Sequence, residues 1–226
     1  MELGTHDKDR VLKEYNDAYE KYGYSPKTVL WGKAEKQDIR LEVLTSMYDF
    51  TNKKILDIGC GFGDLNKILM KKATGYQYLG IDINEKLVQK ANEMNQDNTD
   101  INFIVGDFGE YEFQERLDYA VLSGTFAFSL QDKDQYEHVE DYIKKALEIC
   151  NDGLAFNFVS DRVNFKVDGY YNYNVEKIIS IAYKYSRNIV MRSDYMPFDF
   201  TIFIFKDDSF DDERIFNEYR KRNKIK

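Results

Sequence analysis

Proline is almost missing from this chain: Pro26 and Pro197 are the only two in 226 residues. That excludes proline-rich linkers, and no repeat or low-complexity tract is visible, so residues 1–226 read as one domain long enough to bury its own core. Cysteine is equally scarce. Cys60 and Cys150 make no disulfide framework and no zinc-type Cys/His spacing, so both read as reduced thiols of a cytoplasmic protein without a metal. Histidine also occurs twice, as His6 and His138. His138 falls off the apolar stripe of its helix and reads as exposed, which leaves histidine-driven catalysis without a candidate. No apolar run reaches membrane-spanning length, and the charged start Met-Glu-Leu-Gly-Thr-His-Asp-Lys-Asp lacks a signal peptide's apolar core. A basic surplus is missing too. The net charge of −8 argues against a broad nucleic-acid footprint, and Arg220, Lys221, Arg222, Lys224 and Lys226 read as a solvated helix end.

What the chain does have is a glycine-rich turn in a telling place. Lys54-Ile55-Leu56-Asp57-Ile58-Gly59-Cys60-Gly61-Phe62-Gly63-Asp64 reads as a buried strand, a sharp turn that a ligand can approach closely, and a helix start. The next strand, Tyr78-Leu79-Gly80-Ile81-Asp82-Ile83, also ends on a carboxylate. Gly63 and Asp82 have the spacing at which an acidic side chain hydrogen-bonds a ribose. A dinucleotide site would show G-x-G-x-x-G with pyrophosphate on the helix N-terminus. Here the pattern is G-x-G-x-G, flanked by Asp57 and Asp64, and those charges would repel a pyrophosphate and suit a cation.

Strand-like and helix-like runs alternate from there on. Strands are expected at 53–58, 77–82, 101–105, 119–122 and 154–159. Helices are expected at about 63–72, 85–96, 132–150 and 174–184. Runs 187–192 and 198–206, joined by Ser193-Asp194-Tyr195-Met196-Pro197, read as an antiparallel pair. Helices at 7–22 and about 33–50 precede the alternation, and a C-terminal helix over 207–226 closes it. The expected fold is α/β: a doubly wound, mostly parallel sheet with a C-terminal antiparallel hairpin and an N-terminal helical cap over residues 1–50.

The glycine motif, the acidic second strand and this element order resemble the class I S-adenosylmethionine-dependent methyltransferases, over roughly residues 53–206. The resemblance implies a seven-stranded sheet, S-adenosylmethionine as cofactor, and Asp82 on its ribose. It further implies Asp107 on the adenine amino group, Phe108 packed on the ring, and Ile83 as a second wall. Ligands of such sheets sit beyond the carboxyl ends of the strands. That rule adds Asp57, Gly59, Cys60, Gly61, Gly63, Gly106, Ser123 and Gly124 to the cofactor side. Arg40 is the candidate for the cofactor carboxylate, with Trp31 and Gln37 helping to close the site. The same rule puts Asn157, Tyr170 and Tyr171 on the acceptor side. It places Asp194 or Tyr195 to orient or deprotonate the acceptor. The sequence expectation is methyl transfer to a small molecule. Transfer to RNA or protein, or a silent cofactor-binding module, stand as alternatives, and a nicotinamide dehydrogenase is opposed by the glycine spacing.

Overall fold

The periodic runs become helices and the apolar runs strands in a computed structural model, which describes residues 3–225. The order is α1 (Thr5–Tyr22), α2 (Ala34–Leu44), β1 (Lys54–Ile58), α3 (Asp64–Lys72), β2 (Gln77–Asp82), α4 (Glu85–Asn95), β3 (Ile101–Val105) and β4 (Leu117–Leu122). Then follow α5 (Gln135–Ile149), β5 (Cys150–Val159), α6 (Val175–Ala182), β6 (Ile189–Arg192), β7 (Asp199–Phe205) and α7 (Asn217–Asn223). Short polar side chains start three of the helices, as expected for residues that satisfy exposed N–H groups. Asn84 accepts from Leu87 N, Asp134 from Tyr136 N and Glu137 N, and Asn174 from Lys177 N.

All seven strands share one sheet in the order β3-β2-β1-β4-β5-β7-β6. β1 to β5 run parallel, β7 runs antiparallel to β5, and β6 antiparallel to β7. The fold is therefore the doubly wound class with a hairpin edge. Alternate residues along the strands feed two cores. Leu56, Ala120, Leu154 and Phe156 pack with α5 and α6 residues on one face. Ile55, Val121, Ala155 and Phe203 pack with α2, α3 and α4 residues on the other. Asp57 follows Ile55 in that alternation, which directs it to the second face. Among the described residues no helix is long and apolar enough to cross a membrane.

Three boundaries differ from the sequence reading. α2 stops at Leu44, where the Thr45 hydroxyl bonds back to Leu41 O at 3.0 Å. The chain then turns so that the Tyr48 hydroxyl lies within 2.9 Å of both Leu154 O and Ile204 O, under the sheet. β5 starts at Cys150, because Cys150 already pairs with Leu117 of β4. The C-terminal helix is only Asn217–Asn223. Its basic residues are engaged locally: Arg220 bonds Asp211 and Glu213, and Arg222 lies over the Phe205 and Tyr219 rings. Lys226 lies outside the described residues.

Candidate active site

The turn after β1 is pinned before any ligand arrives. Gly59 N and Cys60 N donate to Ile81 O at 2.8 and 3.2 Å, and Gly61 N donates to Asp82 Oδ2 at 2.8 Å. Gly59, Gly61 and Gly63 have φ of +73°, +53° and +74°, conformations that glycine adopts at little cost. Their backbones line the carboxyl edge of β1, and two cavities open there. Both are walled by Gly59, Asp82, Ser123, Gly124 and Tyr15.

The first cavity runs toward β3 and contains Ile83, Gly106 and Phe108, so three expected members of the adenine slot stand together. The second runs toward the cap and contains Trp31, Gln37, Arg40, Asp57, Cys60, Gly61 and Asp64. Asp82 stands between them. Its Oδ1 accepts from Asn84 N at 2.8 Å and its Oδ2 from Gly61 N, which holds the carboxylate at the junction of the cavities. Burial raises its pKa above the ordinary carboxylate value. Asp57 is buried at the floor of the second cavity and accepts from Tyr78 OH. Burial pushes its carboxyl up to about 7, the Tyr78 bond opposing and the nearby Asp82 and Asp64 charges adding to the rise. A cation entering this cavity meets carboxylates held ready for positive charge.

A third cavity, of about 370 Å³, adjoins the second and shares Leu30, Trp31, Arg40, Gly124, Ala127, Val159 and Tyr170 with it. Phe126, Phe158, Phe165, Val167 and Tyr171 make it aromatic, and Asn157 and Asp199 supply polar groups. The Trp31 indole packs so closely on Gly124 that an added Cβ there would stand 2.6 Å from it. Asn157 Oδ1 accepts from Gly124 N at 2.9 Å. That fixes which way the amide points, because the opposite orientation would set donor against donor. Asn157 Nδ2 is left buried without a partner.

Five residues stand otherwise than expected. Asp194 is exposed at the sheet edge, forked by Arg192 through two contacts of 2.9 Å, which hold its carboxyl below the usual value. Tyr195 is turned onto Thr201 Oγ1 at 2.8 Å, and burial raises its phenol to about 12. The turn does sit at the carboxyl end of the parallel strands, but β6 is the outermost strand, so neither residue lines a described cavity. Asp107 is also turned away from the first cavity. Its Oδ1 accepts from Gly109 N at 2.8 Å, and its Oδ2 lies 3.4 Å from Leu3 N and 3.6 Å from Lys8 Nζ. Gly63 lines neither of the first two cavities. Its missing side chain makes room for Phe103, which an added Cβ would meet at 2.3 Å. His138, expected in solvent, is buried on the wall of the first cavity.

Arg40 is buried rather than exposed. Its Nε donates to Asp199 at 2.5 Å, its Nη1 donates to Lys36 O at 3.1 Å, and its guanidinium lies over the Trp31 ring at 4.5 Å. It therefore faces both cavities while part of its hydrogen-bonding fork is already engaged. Sequence reasoning missed the contribution of α1. Val11 and Tyr15 lie along one face of that helix and close the first cavity with Leu3. The helix is tied down by Asp7, which accepts from Gln131 N and Asp132 N at 2.9 Å, while Asp7 N donates to Asp132 at 3.1 Å. The apolar period of α1 could show that it packs, but not on what.

Two adjoining cavities at the carboxyl edge of a doubly wound sheet, the second lined by Asp57, Asp64 and Asp82, suit a nucleoside with a cationic extension. A family model described as "Methyltransferase domain" matches residues 55–153. The proposed methyltransferase Rv1506c of Mycobacterium tuberculosis is 27% identical over 157 residues, covering 67% of this chain and 92% of that protein. The demethylmenaquinone methyltransferase of Thermotoga maritima is 25% identical over 126 residues, covering 56% of this chain but only 52% of that one. The crystal structure of magnesium protoporphyrin IX methyltransferase from Synechocystis PCC 6803 with bound S-adenosylhomocysteine superposes with a TM-score of 0.63 at 16% identity. It covers 88% of this chain and 99% of that one. Residues 55–153 carry a methyltransferase domain on the class I, Rossmann-like fold, and these likenesses support an S-adenosylmethionine-dependent methyltransferase with S-adenosylmethionine as its cofactor.

The raised Asp57 pKa has a measurable consequence. Without cofactor the folded state holds this proton up to about pH 7, well above an unfolded aspartate. Stability therefore falls as pH rises between those two values and levels off above 7. A cofactor bearing an ammonium favours the ionised carboxylate, so binding should release a proton. Cofactor affinity is expected to rise roughly eightfold from pH 6 to 7.5, and calorimetry in buffers of different ionisation enthalpy should detect the proton. In Asp57→Asn both the rise and the proton release should vanish.

Proposed function

We propose that the enzyme methylates a small, largely apolar acceptor held in the third cavity, with the adenosine of the cofactor in the first cavity and its amino-acid end in the second. The observation that carries this reading is the shared wall. Trp31, Arg40, Gly124 and Tyr170 border both the acidic cavity and the aromatic one, so a molecule in the third cavity abuts the cofactor. The volume of about 370 Å³ lies toward the lower end of the range for small-molecule sites.

Bound S-adenosylmethionine supplies an electrophilic methyl group on a sulfonium. The residues of this chain then have mainly to position and exclude water. The Phe126, Phe158, Tyr170 and Tyr171 rings would sandwich an apolar body. The bare Asn157 Nδ2 would donate to an oxygen on the acceptor and so set its rotation. Asp199 is neutralised by Arg40 and belongs to the wall rather than to proton transfer. The engaged basic residues of α7 support a small acceptor over RNA, since they are not displayed as a phosphate-binding patch.

The test is transfer of isotopically labelled methyl from S-adenosylmethionine into a cell extract split by size. Label is expected among molecules below the filter cut-off and to partition into organic solvent. Label confined to RNA or to protein would overturn this reading.

A further inference from the structure

Two side-chain polar atoms among the residues of the first cavity are buried without a hydrogen-bond partner, Ser123 Oγ and His138 Nδ1. A buried polar atom left unmade costs roughly 1–3 kcal/mol, so a fold that keeps two beside one cavity invites a ligand that satisfies them. His138 is 3% exposed. Its ring is held by Tyr142 at 4.4 Å and by Phe126, edge-on, at 5.9 Å, so its orientation is set before anything binds. Burial, together with the Lys133 charge, lowers its pKa to about 4. At neutral pH the imidazole is therefore uncharged, with one N–H and one bare acceptor nitrogen.

The Asp107 carboxylate and the Gln135 amide are already committed. Asp107 serves Gly109, Leu3 and Lys8. Gln135 Nε2 donates to Phe128 O, with the Tyr173 hydroxyl 2.6 Å away, and its Oε1 accepts from Leu130 N. A purine lodged beside Ile83 and Phe108 still needs a partner for its exocyclic amino group. We infer that His138 recognises the adenine of the cofactor, its bare imidazole nitrogen accepting a hydrogen bond from that amino group. This rests on the placement of adenosine in the first cavity. It replaces a carboxylate at the end of β3 with an imidazole from α5 as the reader of the base.

Calorimetric titration with S-adenosylhomocysteine, and with its analogue carrying hydrogen in place of the 6-amino group, tests this. The wild type is expected to prefer the amino ligand by about tenfold, the effect of one well-made hydrogen bond. In His138→Leu the preference should shrink to within about twofold while thermal melting stays cooperative. His138→Asn, which returns an acceptor oxygen near the imidazole nitrogen, should recover part of the preference, and it serves alone if the leucine variant does not fold. An undiminished preference in His138→Leu would overturn the inference. So would equal binding of both ligands by the wild type, or a preference lost only in Asp107→Asn. Wild-type protein that binds neither ligand would instead remove the placement of adenosine on which the inference rests.

Discussion

Replacing Asp82 by alanine is expected to weaken S-adenosylmethionine binding by about 100-fold or more, the loss of two charge-assisted hydrogen bonds to a ribose. Among the described residues, its side chain is the one carboxylate that borders both the first and second cavities. It also accepts from Gly61 N and Asn84 N, so its removal frees the glycine turn and the N-terminus of α4 at once. The fold should survive, because Gly59 N and Cys60 N remain bonded to Ile81 O. Melting with and without S-adenosylhomocysteine separates the two effects. Wild-type protein should gain several degrees on adding ligand, and Asp82→Ala none. Ligand-induced stabilisation that persists in the variant would show that the ribose is held elsewhere.

The second large effect concerns stability. Arg40 and Asp199 form a buried ion pair with side chains 9% and 6% exposed, joining α2 to the start of β7. Removing one partner leaves the other charge buried alone, at a cost of about 3–5 kcal/mol. Asp199→Ala should therefore lower Tm by on the order of 10 °C. The double variant Arg40→Met with Asp199→Leu should recover most of that loss, since a buried pair exchanged for apolar groups is often neutral. A drop of under about 2 °C in the single variant would mean that water reaches the pair. Methyl transfer should remain impaired in the double variant, because Arg40 also borders both cavities and carries the stacked Trp31.

The parallel part of the fold was legible because local chemistry and global topology agree there. Ile55, Leu56 and Ile58 needed only their alternation, and the glycines only their spacing, to place the turn that Asp82 grips. Asn157, near the end of β5, and Tyr170 and Tyr171, in the segment after it, line one cavity because all three lie on the carboxyl side of the sheet, where the strand-end rule puts a ligand. The same rule failed for Asp194 and Tyr195 because it gives height above the sheet and not distance along it. His138 was misread for a different reason. Val139, Ile143 and Ala146 define a narrow stripe on α5, but the segment bearing Phe126 covers the flank as well, so the buried arc reaches Gln135, His138 and Tyr142. Asp107 was read through its neighbours in sequence. The structure engages it with a turn and with the N-terminal segment, contacts separated by up to about a hundred residues that no local pattern encodes.

The shared domain and the working site do not coincide in this chain. Residues 55–153 match the methyltransferase domain and hold the glycine turn, Asp82, Phe108 and Ser123. The third cavity draws Leu30, Trp31 and Arg40 from before that span, and Asn157, the segment bearing Phe165 to Asn172, and Asp199 from after it. If the acceptor occupies the third cavity as proposed, its selection rests largely on these flanking segments. On that reading, a chimera that exchanged only the segment bearing Phe165 to Asn172, over a constant cap and sheet, would change what is methylated while leaving the methyl donor as it is.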